Sequence, residues 1–217
     1  MSQKYIKVLA TLSFVVVAAA SQAALILQSV PAFYDNSGGA DQYTMLNQFN
    51  PALGSLTAVG MFYYNVAYGQ NTVTNIDGTP GTFSNMVYSE SYLSVYDSTA
   101  TYGLVDDLVV SNSASGIALA GGASNTISAG NGYYAFQASY DPSFLAAYTG
   151  MGSVYAYQAS LGYAGGSGDH QVQNGGFEES ASAAVLIYQY NAVPAPAAAG
   201  TMLIGMIGGF VRRKRSA

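Results

Sequence analysis

The stretch Met-Val-Tyr-Ser-Glu-Ser-Tyr-Leu-Ser-Val-Tyr, residues 86–96, alternates between two kinds of side chain. Successive side chains of an extended strand point to opposite faces, so every second residue shares a face. One face carries Met86, Tyr88, Glu90, Tyr92, Ser94 and Tyr96, and the other carries the aliphatic Val87, Leu93 and Val95. This alternation predicts a strand with one face in a core, and it indicates an all-β fold.

Other stretches share this strand composition, which is rich in Tyr, Val, Thr, Ser and Phe. They are Tyr43–Phe49, Leu56–Tyr68, Leu104–Val110, Gly116–Ala120, Tyr133–Ser139, Ser153–Leu161 and Ala183–Tyr190. Short strands at this spacing predict an antiparallel β-sandwich, jelly-roll-like in its topology.

Turn signals separate the predicted strands. They are Asp77–Gly81, Asn131-Gly132 and Asn174–Gly176, because Asn, Asp, Gly and Pro favour tight turns. Asp141-Pro142 starts a further turn, and residues 143–148 are predicted to form one helical turn. Gly162 to Phe177 is predicted to be a long glycine-rich loop.

The distribution of charge divides the chain into a body and two ends. The six basic residues are Lys4, Lys7, Arg212, Arg213, Lys214 and Arg215, whereas all eleven acidic residues lie between Val8 and Val211. A body without Lys or Arg offers no basic patch, which excludes nucleic acid as a partner. The absence of Cys excludes disulfides and thiolate chemistry.

The N-terminus has the pattern of an export signal. Lys4 and Lys7 precede an apolar run, Val8–Ala20, and the small residues Ser21 and Ala23 fit a cleavage site. We therefore expect a signal peptide at residues 1–23, cut after Ala23, that brings the chain to the export machinery. The alternative is an uncleaved membrane anchor, but a thirteen-residue apolar run is short for a span of about 20 residues.

The C-terminus, residues 193–217, has three parts in order. Val193-Pro194-Ala195-Pro196 is followed by an apolar run, Ala197–Val211, and then by Arg212-Arg213-Lys214-Arg215. As a helix the apolar run would be about 22 Å long, and the terminal cations would hold its end at the cytoplasmic side of a membrane. We expect an anchoring or sorting tail; the alternative is a core helix that closes the body at residues 24–192.

This tail resembles the PEP-CTERM sorting signal of bacteria that produce exopolysaccharide. That signal consists of a Val-Pro-Glu-Pro motif, a short apolar helix and a basic cluster, and here Ala195 stands in place of the glutamate. The resemblance implies recognition by an exosortase-like processing enzyme, with either a variant sorting signal or a retained anchor as the outcome.

The body resembles a second family, the choice-of-anchor E domain. The similar stretches are Leu46–Val59, Phe144–Val154 and Ala184–Tyr190. The resemblance implies a secreted domain that occurs with differing C-terminal anchors, and it brings no catalytic residues to positions in this chain.

Candidate catalytic residues are few. His170 is the single histidine, so a Ser-His-Asp triad or a general base depends on it alone, and the alternative is an exposed loop histidine. Asp106-Asp107 and Glu178-Glu179 are adjacent pairs, which in a strand point to opposite faces and form no dyad by themselves. Carboxylates of a glycoside hydrolase would have to converge from distant strands.

Two features suggest binding. Calcium is the metal that acidic loops would suit, with Asp35-Asn36 and Asp41, or Asp169 and Glu178-Glu179, as candidate ligands. The nineteen tyrosines are expected to be core or cross-strand residues, with a few left at the surface as a glycan-contacting patch. We expect a non-enzymatic, surface-targeted protein without an obligate cofactor; the alternatives are a secreted hydrolase and a calcium-stabilised structural module.

Overall fold

The computed structural model describes residues 23–193, and these form two antiparallel four-stranded sheets. The strands are β1 (Ala23–Asp35), β2 (Asp41–Asn47), β3 (Gly54–Asn75), β4 (Gly81–Tyr96), β5 (Gly103–Leu119), β6 (Ser124–Ser139), β7 (Ser153–Gly168) and β8 (Val172–Ala192). Sheet A has the order β1-β8-β3-β6 and sheet B the order β2-β7-β4-β5. The predicted all-β sandwich is confirmed.

The helical content between these strands is small. A 3-10 turn at Pro51–Leu53 precedes β3, and α1 (Pro142–Ala147) lies between β6 and β7. The Asp141 side chain accepts hydrogen bonds from the backbone of Ser143 and Phe144, which caps α1. The predicted helical turn after Asp141-Pro142 is therefore confirmed.

Three predictions about turns are wrong. Asn131-Gly132 lies inside β6, Asn174–Gly176 lies inside β8, and the predicted loop 162–177 is mostly strand, with only residues 169–171 connecting β7 to β8. The long central strand β3 pairs along its length with both β6 and β8. This continuous pairing outweighs the local preference of Asn-Gly for a turn.

The glycines in these strands make room for neighbouring side chains. A Cβ atom on Gly132 would lie 2.1 Å from Cγ2 of Val66, and one on Gly176 would lie 2.3 Å from Cβ of Ala164. A strand glycine often marks such a close approach.

Two further boundaries differ from the predictions. Strand β1 was not predicted, because Pro31 interrupts its alternation; the pairing with β8 shifts register between Val30 and Phe33. The predicted strands 104–110 and 116–120 are one strand, β5, in which Gly116 has a positive φ of 67°.

The core between the sheets changes character along the strands. At the end where β8 finishes it is apolar, with Met61, Leu93, Leu186 and Tyr188 buried together. Farther along the same strands the inward positions become polar: Asn65, Asn71, Asn85, Ser89, Ser91, Gln158, Ser180 and Ser182 are buried. A small apolar cluster of Val73, Phe83 and Leu119 follows at the far end.

The two ends of the described chain lie side by side. Ala23 pairs with Asn191 at the edge of sheet A, and the backbone N–H of Val193 donates to the carbonyl of Leu53 at 3.0 Å. The predicted signal helix and C-terminal apolar helix fall on residues 1–22 and 194–217, outside the described residues. Within residues 23–193, no helix is long and apolar enough to span a membrane.

Candidate functional site

The outer face of sheet B carries a continuous set of aromatic side chains. Strand β4 directs Val87, Leu93 and Val95 into the core and leaves Tyr88, Tyr92 and Tyr96 on the outside. The alternation predicts this division into two faces. We call the outward tyrosines of sheet B the tyrosine face: Tyr43 from β2, Tyr155, Tyr157 and Tyr163 from β7, and Tyr88, Tyr92 and Tyr96 from β4.

The centre of the tyrosine face is a row of rings that crosses three strands. The ring centroids of Tyr43 and Tyr157 lie 4.5 Å apart, and those of Tyr157 and Tyr92 lie 5.9 Å apart. The hydroxyls of Tyr92 and Tyr96 share a hydrogen bond. Burial and this bond raise the pKa of Tyr92 to about 12, so the Tyr92 hydroxyl stays protonated at neutral pH. One of the two hydroxyls donates to the other, and the other keeps its own proton to donate to a ligand.

Carboxylates lie among the rings. Register places Asp107 of β5 opposite Tyr92, and Asp41 of β2 lies in the same row beyond Ala159. The Tyr88 hydroxyl donates to Glu90, and this bond, with burial, raises the pKa of Tyr88 to about 12. Burial and the nearby charges of Glu90 and Asp106 raise the pKa of Asp107.

These carboxylates have no cationic neighbour within the described part of the chain. Residues 23–193 contain no Lys or Arg, and their one histidine, His170, lies in the turn between β7 and β8. The tyrosine face is therefore an aromatic surface with uncompensated negative charge.

An open groove extends the tyrosine face. It has a volume of about 640 Å³ and is lined by Met86, Tyr88, Tyr163 and the small polar Ser111 and Ser113. Cross-strand pairing builds it, because Tyr88 lies between Tyr163 of β7 and Ser111 of β5. Binding pockets commonly combine such aromatic walls with a few polar groups.

Asp106, the neighbour of Asp107, points the other way and is buried, as predicted for adjacent strand residues. Its carboxylate accepts from the Tyr63 hydroxyl at 3.0 Å, the Tyr133 hydroxyl at 2.8 Å and Nδ2 of Asn65 at 2.7 Å. Burial and the bond to Asp106 raise the pKa of both tyrosines. Asp106 thus joins β5 of sheet B to β3 and β6 of sheet A.

The predicted calcium ligands are not brought together as expected. Asp35 accepts hydrogen bonds from the Ser37 backbone and hydroxyl, the Gly39 backbone and the Ser160 hydroxyl. Burial alone would raise the pKa of Asp35, but these bonds outweigh it and hold that pKa well below its usual range. A carboxylate so occupied organises the β1–β2 connection rather than offering a free ligand.

Asp35 lies near a residue of the second predicted calcium set rather than near Asp41 of its own set. Glu178 lies beside it, while Asp41 is an exposed residue of β2 and Asp169 accepts from the Thr82 backbone at 2.7 Å. Among residues 23–193 no group of three or more His, Asp or Glu side chains could hold a metal ion.

His170 lies in the three-residue connection of β7 and β8 rather than in a long loop. Its Nδ1 lies 3.3 Å from a carboxylate oxygen of Asp77. The same oxygen accepts from the Gln171 backbone at 2.9 Å. These contacts join two turns at one end of the sandwich.

The predicted processing residues lie mostly beyond the described range. Ala23 is the first residue of β1, and Val193 is exposed at the end of β8. Ser21, Pro194, Ala195, Pro196, Arg212, Arg213, Lys214 and Arg215 fall outside the described residues.

No protein-family model and no curated protein matches this sequence. Among solved structures, the infectious bursal disease virus Gx strain matches with a TM-score of 0.22 and 10% identity, over 81% of this chain and 38% of that one. A T13 particle of the same virus matches with a TM-score of 0.22 and 8% identity, over 83% of this chain and 42% of that one. The chain thus spans less than half of these viral chains, and at such TM-scores the likeness carries no argument about function.

Proposed function

We propose that this chain is an exported, non-enzymatic protein of the cell envelope or the extracellular polysaccharide matrix, where its tyrosine face contacts polysaccharide. The observation that carries the proposal is that face: rings from three adjacent strands, interspersed with Asp41, Glu90 and Asp107. Aromatic rings stack on sugar rings, and carboxylates accept hydrogen bonds from sugar hydroxyls.

Export is supported by the two ends of the sequence. A signal peptide at residues 1–23 would leave Ala24 as the first residue, within β1. The tail at 193–217 would anchor the body, or pass it to an exosortase-like enzyme. Because β1 starts beside the end of β8, the tail would leave from the end of the sandwich opposite the turns that contain Asp77 and His170.

We further infer that the sandwich is a jelly roll. The strand orders β1-β8-β3-β6 and β2-β7-β4-β5 support this, because each sheet combines strands from the first and the second half of the chain, as two Greek keys would place them. The chain passes from one sheet to the other at every connection between described strands except β4–β5, which joins neighbours within sheet B.

A secreted hydrolase is the alternative function. A glycoside hydrolase of the common type needs two carboxyl groups that face each other about 5–9 Å apart across a cleft. The buried carboxylates of residues 23–193, Asp35, Asp97 and Asp106, are each held by their own donors at different connections or strands. This arrangement favours the binding function over hydrolysis.

Surface labelling tests the proposed location. An epitope tag inserted at Gly78 would sit in the β3–β4 turn, where a Cβ atom on the glycine would have no heavy atom within 4 Å. We expect an antibody to label this tag on intact cells of the native host. Labelling only after lysis would contradict the proposal, and a tag on a known cytosolic protein is the control.

A further inference from the structure

We propose that the ligand of the tyrosine face is a polysaccharide that carries free amino groups, bound as its protonated form. This inference rests on the proposed function and names the chemical class of the ligand. It depends on three properties of the face: its row of rings, its uncompensated carboxylates and its contrast with the outer face of sheet A.

The row of rings fits a chain of sugars. Tyr43, Tyr157 and Tyr92 come from neighbouring strands, with centroids 4.5 Å and 5.9 Å apart, close to the strand spacing of about 4.8 Å. The three rings thus form one contiguous aromatic surface across β2, β7 and β4, and a glycan that runs across these strands would contact all three. The groove beside Tyr88 and Tyr163 continues this path.

The carboxylates of the tyrosine face determine which charge on a bound glycan is favourable. Glu90 and Asp107 lie diagonally across β4 and β5, and burial together with the charge of Glu90 raises the pKa of Asp107. An acidic polysaccharide would add repulsion, whereas an ammonium group would relieve it and would also be attracted to the faces of the tyrosine rings. Charge complementarity therefore favours a cationic glycan over a neutral or acidic one.

The outer face of sheet A has aromatic rings without this charge. Tyr64 and Tyr134 form a ring pair there with centroids 4.6 Å apart, and Phe136 is exposed nearby. Opposite the ring pair and Phe136, strand β8 presents Ala183 and Val185, and Glu179 lies farther along it. Sheet A therefore supplies matched control positions, with similar rings and no cluster of carboxylates.

The experiment uses the purified full chain and two glycans of equal length: glucosamine oligomers of the chitosan type and N-acetylglucosamine oligomers, which lack the free amine. We expect the glucosamine oligomer to bind at least about tenfold more tightly, because its ammonium groups can donate charge-assisted hydrogen bonds to the carboxylates. Equal affinity for the two, or no binding of either, would overturn the inference.

Variants locate the site. Tyr43 and Tyr134 are both exposed, at 69% and 53%, and each contacts one tyrosine ring in a tilted arrangement, at 34° and 35° between the ring planes. We expect Tyr43→Ala and Glu90→Gln to weaken binding of the glucosamine oligomer several-fold, and Tyr134→Ala and Glu179→Gln on sheet A to leave it unchanged. Equal losses in both sets would overturn the inference.

Poly-lysine is the control that distinguishes specific binding at the tyrosine face from general electrostatic attraction of cations to an acidic protein. If poly-lysine binds as tightly as the glucosamine oligomer and none of the four variants changes glycan binding, the inference is wrong. These binding measurements do not depend on where the protein is located. If the chain is exposed on cells but binds no amino-sugar polymer, only this inference is wrong. If the chain is cytosolic, the proposed function is wrong.

Discussion

At the scale of single residues, the adjacent Asp106 and Asp107 have opposite roles because they point to opposite faces of β5. Asp106 accepts three hydrogen bonds inside the sandwich, and Asp107 lies on the tyrosine face. The sequence alone predicted that these two adjacent side chains point to opposite faces of a strand. The sequence could not predict the partners of Asp106 on β3 and β6, because they depend on which strands face each other across the core.

This difference predicts unequal effects on stability. Asp106→Ala leaves the hydroxyls of Tyr63 and Tyr133 and the amide of Asn65 without their buried acceptor, and we expect it to lower the free energy of unfolding by about 3 kcal/mol. Asp107→Ala serves as the matched control and should change it by less than about 0.5 kcal/mol. Urea unfolding followed by tyrosine fluorescence measures both, and equal effects would show that Asp106 does not join the sheets.

The titration of single carboxylates also predicts how stability depends on pH. Hydrogen bonds outweigh burial at Asp35 and Asp97 and lower the pKa of each, so their contribution is complete above the unfolded pKa of about 3.9 and is lost as pH falls below it. Burial and neighbouring charges raise the pKa of Asp107 and Glu178, so the folded state gains stability as pH falls through those raised values.

We therefore expect stability to be greatest on the acid side of neutrality and to fall steeply below about pH 4. Thermal unfolding across a pH series measures this profile. Asp35→Asn should flatten the acid limb, whereas Asp41→Asn, at an exposed position of β2, should not. A stability that rises continuously from about pH 5 to about pH 8 would contradict the expectation.

At the scale of elements, the strands combine an apolar and a polar stretch on the same inward face. On β4 the inward row runs from Leu93 and Val95 to Ser91 and Ser89, and on β8 from Leu186 to Ser182 and Ser180. Gln158 of β7 reaches across to Ser182, with its Nε2 2.9 Å from the serine hydroxyl. Several of these buried groups lack a protein partner, among them Oε1 of Gln158 and Oγ of Ser91.

Buried polar groups of this kind predict an asymmetry between single and paired changes. Gln158→Leu alone leaves the Ser182 hydroxyl without its donor and should cost about 1–3 kcal/mol, whereas Gln158→Leu with Ser182→Ala should lie within about 1 kcal/mol of the natural protein. Urea unfolding of the two variants measures this. Identical midpoints would show that the pair contributes nothing as a pair.

Elements also show how far the sequence could predict the fold. The alternation at 86–96 correctly predicted a strand with two distinct faces, and Asp141-Pro142 correctly predicted the start of α1. Asn131-Gly132 and Asn174–Gly176 gave the wrong prediction, because pairing with the long strand β3 is not local. The sequence likewise could not predict the row Tyr43–Tyr157–Tyr92, because the row depends on the strand order β2-β7-β4.

At the scale of the whole molecule, both ends of the described chain lie together, and the two outer faces differ in chemistry. Ala23 and Val193 lie at the same end, so the proposed tail at 193–217 would begin at that end rather than on the outer face of either sheet. The tyrosine face is acidic and aromatic, whereas the outer face of sheet A has aromatic rings without a cluster of carboxylates. This arrangement suits a protein that is attached by its tail and binds through one side.

Intact-mass measurement of the cell-associated and released protein tests the proposed export and attachment most directly, because it locates both processing points in one experiment. We predict a chain that begins at Ala24 on the cell surface or in the surrounding matrix, with a tail that is either retained or removed near 193–196. A full 22.5 kDa chain that begins at Met1 and is folded in the cytosol would contradict this prediction.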